Sequence, residues 1–192
     1  MAEGEVVEEV KNTNFDTVAI GDIGTQLFHF NSTSGKFEYL VPVTAGAEFG
    51  GDTESFDAPE TDLDYVPKVM GRKTLNDVEY TINYTKEKYK LLKEISKDGR
   101  VNAHTYMEVF SDNSAMIFRG TANEPSITTG DVRQMTYSII PSYMEWVDDI
   151  YNIGDTTNLH AEWYTSKSIN IDKETIPSQR RDYAYVDKNT QA

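Results

Sequence analysis

The spacing of apolar residues changes from strand-like to helical within one short stretch of this chain. Between residues 77 and 84 apolar and polar side chains alternate, which predicts a strand with one buried and one polar face. The apolar positions are Val78, Tyr80, Ile82 and Tyr84, and the polar positions are Asp77, Glu79, Thr81 and Asn83. From Thr85 onward apolar residues recur at helical spacing. A helix is therefore predicted over residues 85 to 97, with Thr85 as its N-cap and Gly99 as a stop signal.

Shorter alternating runs predict an antiparallel sheet on either side of this helix. The expected strands cover residues 26 to 30, 37 to 43, 103 to 110, 114 to 121 and 131 to 141. The third and fourth form a hairpin around the turn SDNS. In the last strand the polar positions are Gln134, Thr136 and Ser138, and the apolar ones are Met135, Tyr137 and Ile139. The pattern predicts a largely antiparallel β domain with one helix over residues 24 to 142.

Three segments lack this regular alternation. Residues 1 to 23 are acidic and their glycines disfavour a stable helix, so we expect an N-terminal arm there. Residues 44 to 71 contain six glycines and prolines and almost no periodicity, which predicts a long loop with a function of its own. Residues 143 to 192 hold both tryptophans and several tyrosines, a composition too aromatic for a disordered tail. We expect this C-terminal arm or extension to dock on something.

Composition narrows the possible functions. Thirty-two acids against eighteen Lys and Arg give a formal net charge of -14. Binding driven by phosphate contacts is therefore disfavoured, although an acidic surface suits DNA that must pass without sticking. The chain has no cysteine, which excludes disulfides and thiolate metal sites. Neither a secretory signal nor an apolar run long enough to span a membrane is visible, so we expect a protein made in the cytoplasm that does not enter a membrane.

No motif predicts an active site, a cofactor or a metal. His29, His104 and His160 lie far apart in sequence, and none has a partner at metal-ligand spacing. The stretch GGDTESFD lacks the spacing of a calcium loop. A catalytic carboxylate pair cannot be singled out among so many acids. The expectation is a protein that is not an enzyme.

Charges are segregated along the middle of the chain. Seven acids and no base lie between residues 48 and 64: Glu48, Asp52, Glu54, Asp57, Glu60, Asp62 and Asp64. The predicted helix carries lysines on one face: Lys86, Lys90, Lys93 and Lys97. Either both are solvated surfaces, or the acidic loop of one subunit meets a basic surface of another.

Residues 36 to 95 resemble the major tail tube proteins of long, non-contractile phage tails. The resemblance lies in a strand that ends near Val43, a GG-x-T-E-x-F-D element that runs into TDLD, and a G-R-K-x-L-x-D-V-E-Y-T-I-N-Y strand that leads into a Tyr/Leu helix. The later hairpin and DVRQMTYSIIPS also look like the closing strands of that family. The similarity covers about residues 24 to 142.

This resemblance implies a mainly β fold, an antiparallel β-sandwich of two packed sheets with one flanking helix. It implies a structural virion protein, assembled in the host cytoplasm, whose subunits form hexameric rings stacked into the tail tube that conducts DNA. Its partners would be further copies, the proteins at the tube ends and the tape measure protein. The ring-stacking loop would include Gly50 and Gly51 with the seven acids. The lumen-facing residues would be Glu79, Thr81, Asn83, Gln134, Thr136 and Ser138.

A second hypothesis belongs to another class of protein. A β-sandwich carbohydrate- or surface-binding module would use Trp146 and Trp163 as stacking platforms. The alternative for both rings is packing in a core.

Overall fold

The computed structural model describes residues 25–58, 66–99, 101–155 and 158–177. Its strands are β1 (Gln26–Asn31), β2 (Lys36–Pro42), β3 (Gly51–Asp57), β4 (Lys68–Leu75), β5 (Val78–Asn83), β6 (His104–Val109), β7 (Ala115–Ala122), β8 (Ser126–Thr128), β9 (Gln134–Val147), β10 (Tyr164–Thr165), β11 (Ser168–Ile169) and β12 (Ile171–Asp172). The α-helix is α1 (Lys86–Gly99), and two short 3-10 helices cover Ala161–Trp163 and Lys173–Thr175. Within the described ranges, no helix has the length and apolar character needed to cross a membrane.

Eight strands form one mainly antiparallel sheet that folds into two layers. The strand order is β12-β2-β1-β6-β7-β9-β5, and β8 pairs with β9. The long strand β9 belongs to both layers, because its first half pairs with β5 and β8 and its second half pairs with β7. A bulge opposite Arg119 and Gly120 shifts the register between these halves. Such bulges bend a strand and increase its local twist, which allows β9 to pass from one layer to the other.

A core of apolar side chains fills the space between the layers. It is built from alternate residues of β5 and β9 on one side and of β1, β6 and β7 on the other. Helix α1 closes one flank through Leu92, which is fully buried. The backbone N–H of Lys88 donates to Thr85 Oγ1 at 3.3 Å, so Thr85 is the N-cap that the sequence predicts. The predicted fold class, an antiparallel β-sandwich with one flanking helix, is confirmed.

A second core lies on the opposite face of β1, β6 and β7. Phe28, Met107 and Ile117 from these strands pack with side chains of the C-terminal segment. The contributions of that segment are Val147, Ile150, Leu159, Trp163, Ile169 and Ile176. Strand β12 also adds to the sheet edge by pairing in parallel with β2. The central strands are therefore buried on both faces, and the described residues after 147 lie against the sheet.

Two sequence-based boundaries need correction. The last strand, predicted to end at residue 141, continues to Val147. The segment 44 to 71, predicted as an irregular loop, contains β3 and the first half of β4, which pair as an antiparallel hairpin. Both strands are exposed along most of their length, so neither shows the buried alternation that identifies a strand in sequence. The arm over residues 1 to 23 lies outside the described residues.

Two histidines that are far apart in sequence meet in the fold. A ring nitrogen of His29 lies 2.8 Å from one of His104, and His104 Nε2 lies 3.0 Å from a carboxylate oxygen of Asp98. Burial, and then the neighbouring His104, lower the pKa of His29 from 6.5 to about 4. His29 is therefore neutral in the folded protein at neutral pH.

Stability should fall with acidification because of His29. Its folded pKa lies below its unfolded value, so the unfolded chain binds more protons between about pH 4 and 6.5. The free energy of unfolding should drop across this window by up to about 3 kcal/mol. In urea titrations at several pH values, His29→Gln should flatten this slope. An unaltered slope in His29→Gln would show that other groups cause the loss.

The two tryptophans should differ sharply in their effect on stability. Trp163 is 2% exposed within the second core, whereas Trp146 is 50% exposed. Trp163→Ala should lower the free energy of unfolding by about 3–5 kcal/mol, because it empties a large buried volume. Trp146→Ala is the matched control and should cost well under half of that. Thermal or urea denaturation measures both, and equal losses would contradict the placement of Trp163 in the core.

Candidate functional site

The six residues expected to line a lumen come together as three directly opposed pairs. On β5 and β9 the register places Glu79 opposite Ser138, Thr81 opposite Thr136 and Asn83 opposite Gln134. Gln134 Nε2 lies 3.5 Å from Asn83 Oδ1. All six are exposed or partly exposed, so the two strands present one polar, solvent-facing surface.

Strand β8 widens this surface on the other side of β9. Ser126 pairs with Thr136 and Thr128 pairs with Gln134, so both hydroxyls join the same face. We call the eight residues of β5, β9 and β8 the polar face. The sequence analysis missed Ser126 and Thr128, because a strand of three residues between turn-forming residues has too few positions to show an alternation.

The other side of these strands is held rigidly against the second layer. The alternating partners of the polar residues are fully buried: Val78, Tyr80, Ile82, Met135, Tyr137 and Ile139. Two hydrogen bonds connect the layers, from Tyr80 to Glu108 at 2.7 Å and between the hydroxyls of Tyr106 and Tyr137 at 3.0 Å. Burial raises the pKa of Tyr137 to about 12 and holds the pKa of Tyr80 well above its ordinary value, with Glu108 adding to the shift of Tyr80. Both phenols therefore stay protonated at neutral pH, and the strands cannot rotate without breaking buried hydrogen bonds.

The chemistry available on the polar face is hydrogen bonding and one negative charge. Among its eight residues only Glu79 carries a formal charge. Hydroxyls and amides bind water readily. Over the described part of the chain, no three His, Asp or Glu side chains converge as metal ligands would. The arrangement suits a wetted wall better than a pocket for a ligand.

The residues expected in a ring-stacking loop lie on or beside the β3–β4 hairpin. Gly51, Asp52, Glu54 and Asp57 belong to β3, with Glu48 and Gly50 just before it, while Glu60, Asp62 and Asp64 lie outside the described residues. Strand β4 faces this acidic strand with Lys68, Arg72 and Lys73. The sequence spacing suggested that these acids have no positive charge nearby. In the structure, however, the bases of β4 lie close to the acids of β3.

The four lysines of the helix do not form a uniformly free basic face. Lys86, Lys90 and Lys97 are exposed. Lys93 forms a salt bridge with Glu124, and its ammonium lies 5.6 Å from the centre of the Tyr89 ring.

The tryptophans do not form a pair of stacking platforms. Trp163 lies in the second core, so its ring cannot receive a sugar. Trp146 is half exposed, packs against Phe110 and donates from Nε1 to Asp148 at 2.6 Å.

No family model and no curated protein matches this sequence. Solved structures match in fold. A chain of the anti-feeding prophage (AFP) baseplate, determined by cryo-EM with six-fold symmetrisation, aligns with a TM-score of 0.53 at 7% identity, over 68% of this chain and 96% of that chain. A chain from the tail of an empty GTA particle, refined helically with C6 symmetry, aligns with a TM-score of 0.53 at 10% identity, over 67% and 99%. At such low identity the likeness is one of fold alone.

Exchanges on the polar face and on its buried side should have opposite outcomes. Thr81→Ala removes a partly exposed hydroxyl and should change the free energy of unfolding by less than about 1 kcal/mol. The adjacent Ile82→Ala empties a fully buried position and should cost about 2–5 kcal/mol. Urea denaturation of both variants measures the difference. A large loss in Thr81→Ala would mean that this face is covered within the monomer.

Proposed function

We propose that this chain is a structural subunit of a tail tube, that it assembles into stacked hexameric rings, and that its polar face lines the lumen through which DNA passes. The single observation that carries the proposal is the polar face itself. Six residues singled out in sequence lie in register on one surface, and their alternate neighbours are fully buried.

The similar solved chains support the same proposal. Both come from tail or baseplate particles to which six-fold symmetry was applied, and each aligns over nearly its whole length. A ring of six copies would place six Glu79 carboxylates around the lumen. Like charges repel the phosphate backbone, and hydroxyls and amides keep the wall wetted, so DNA would slide without adhering.

The carbohydrate-binding alternative loses one of its two platforms. Aromatic recognition of a sugar would have to depend on Trp146, because Trp163 is buried. No second exposed tryptophan is available in this chain, since the sequence has only two. The tube subunit remains the better-supported function.

Negative-stain microscopy of the concentrated protein is the direct test. Rings or tubes with six-fold averages are the expected result. A protein that stays monomeric at high concentration, with or without the other tail proteins, would contradict the proposal.

Charge on the polar face should control the speed of DNA ejection. The triple variant Glu79→Lys, Thr81→Lys and Asn83→Lys raises the charge by four and should slow ejection from assembled particles at low salt, because cationic walls attract phosphate. High salt should restore most of the rate. The matched control, Glu87→Lys with Glu94→Lys, makes the same change of charge on the exposed helix and should eject normally. Fast ejection by the triple variant at low salt would show that these residues do not line the lumen.

A further inference from the structure

Strand β4 and the second half of β9 each have an edge with no partner strand within the described residues. Strand β4 pairs with β3 alone, so its other edge is open. Strand β9 pairs with β7 on one side over residues 139–147, but β5 ends at Val78, opposite Ile139. The opposite edge of residues 140–147 therefore has no strand beside it in the described structure. Open edges present unpaired N–H and C=O groups that can pair with a strand from another molecule.

The β3–β4 hairpin is exposed along most of its length. Its residues are exposed from 52 to 57 and from 68 to 74. Large apolar side chains are among them, with Phe56 56%, Val69 54% and Met70 78% exposed. A two-stranded hairpin is at best marginally stable in water, so packing on another surface would stabilise this one.

The two open edges carry opposite charges. The bases of β4 are Lys68, Arg72 and Lys73, and this strand has no acid. Residues 140 to 149 contain Glu145, Asp148 and Asp149 and no base. Within the described ranges, none of these six charges takes part in a salt bridge. Complementary charges steer two surfaces together and fix their register.

The end of β9 lines a cleft. It has a volume of about 250 Å³ and is bounded by residues 145–148 of the strand and by residues 152–154, Asn158 and Leu159. Glu145 accepts a hydrogen bond from the Tyr143 hydroxyl at 2.9 Å, and Asp148 accepts one from Trp146. Both carboxylates are thus oriented by neutral donors.

We propose that β4 of one copy adds as a strand to the free edge of β9 in another copy, with its basic side chains against the acidic cleft. This inference rests on the proposed function, because it supplies one contact between tube subunits. In this arrangement the hairpin contacts β9 of another copy instead of the lysines of helix α1. The added strand would bury Met70 or Val69. Its pairing with β9 would also give the backbone N–H and C=O groups of both open edges hydrogen-bond partners.

Disulfide trapping tests the contact directly. The chain has no cysteine, so every thiol is an introduced one. The double variant Met70→Cys with Glu145→Cys, assembled and then mildly oxidised, should give a ladder of covalent oligomers on a non-reducing gel. The matched control, Met70→Cys with Lys90→Cys, places the second thiol on the helix and should give none. A ladder from the control and none from the Glu145 variant would overturn the inference and would show that β4 contacts helix α1 of another copy instead.

Charge exchange provides a second, independent measurement. Lys68→Glu, Arg72→Glu and Lys73→Glu together should slow tube assembly at least about tenfold. Adding Glu145→Lys, Asp148→Lys and Asp149→Lys to the same chain should restore most of the rate. Lys86→Glu, Lys90→Glu and Lys97→Glu make the same charge change on the helix and should have a small effect.

The possible failures can be told apart. If the unmodified chain forms no rings or tubes, the proposed function fails. If tubes form but Met70 and Glu145 do not cross-link and the charge exchange gives no rescue, the tube stands and the pairing of β4 with β9 is wrong.

Discussion

The whole arrangement depends on one strand that belongs to two layers. Strand β9 can change layers because of its bulge opposite Arg119 and Gly120. A side chain at residue 120 would run into the backbone carbonyl of Ile140, so glycine is required for the two strands to approach there. Once β9 has crossed, the inward face of its first half is fixed, and so is the outward face that carries the polar residues.

The outward face of the β5–β9–β8 layer differs from the other sheet surfaces, because the central strands of the sheet are covered on both sides. The central strands have one face against the β5–β9 layer and the other against the C-terminal segment. A sheet buried on both sides offers no broad surface to solvent or to DNA. The β5–β9–β8 layer keeps one face wet, and the buried hydrogen bonds of Tyr80 and Tyr137 hold that face in a single orientation. Position and rigidity thus come from the same core.

Sequence reasoning succeeded where one face of an element is buried. The alternation of β5 and of the first half of β9 located the three opposed pairs of the polar face, and Thr85 located the start of the helix. It failed for β3 and β4, because both faces of that hairpin are exposed and no period of two arises. The prediction ended this strand at Pro141, whereas β9 continues to Val147, because proline is tolerated at bulges. The contact of His29 with His104 spans 75 positions, and no local pattern reveals it.

The parallel pairing of β12 with β2 ties the order of folding to the order of synthesis. Ile171 lies beside Phe37, so the outer edge of the sheet and its second core cannot be completed until the ribosome has moved well past residue 171. Contacts of such sequence separation form late, because a long loop must close before they contribute. During translation the nascent sheet therefore has an unprotected edge and an uncovered apolar face.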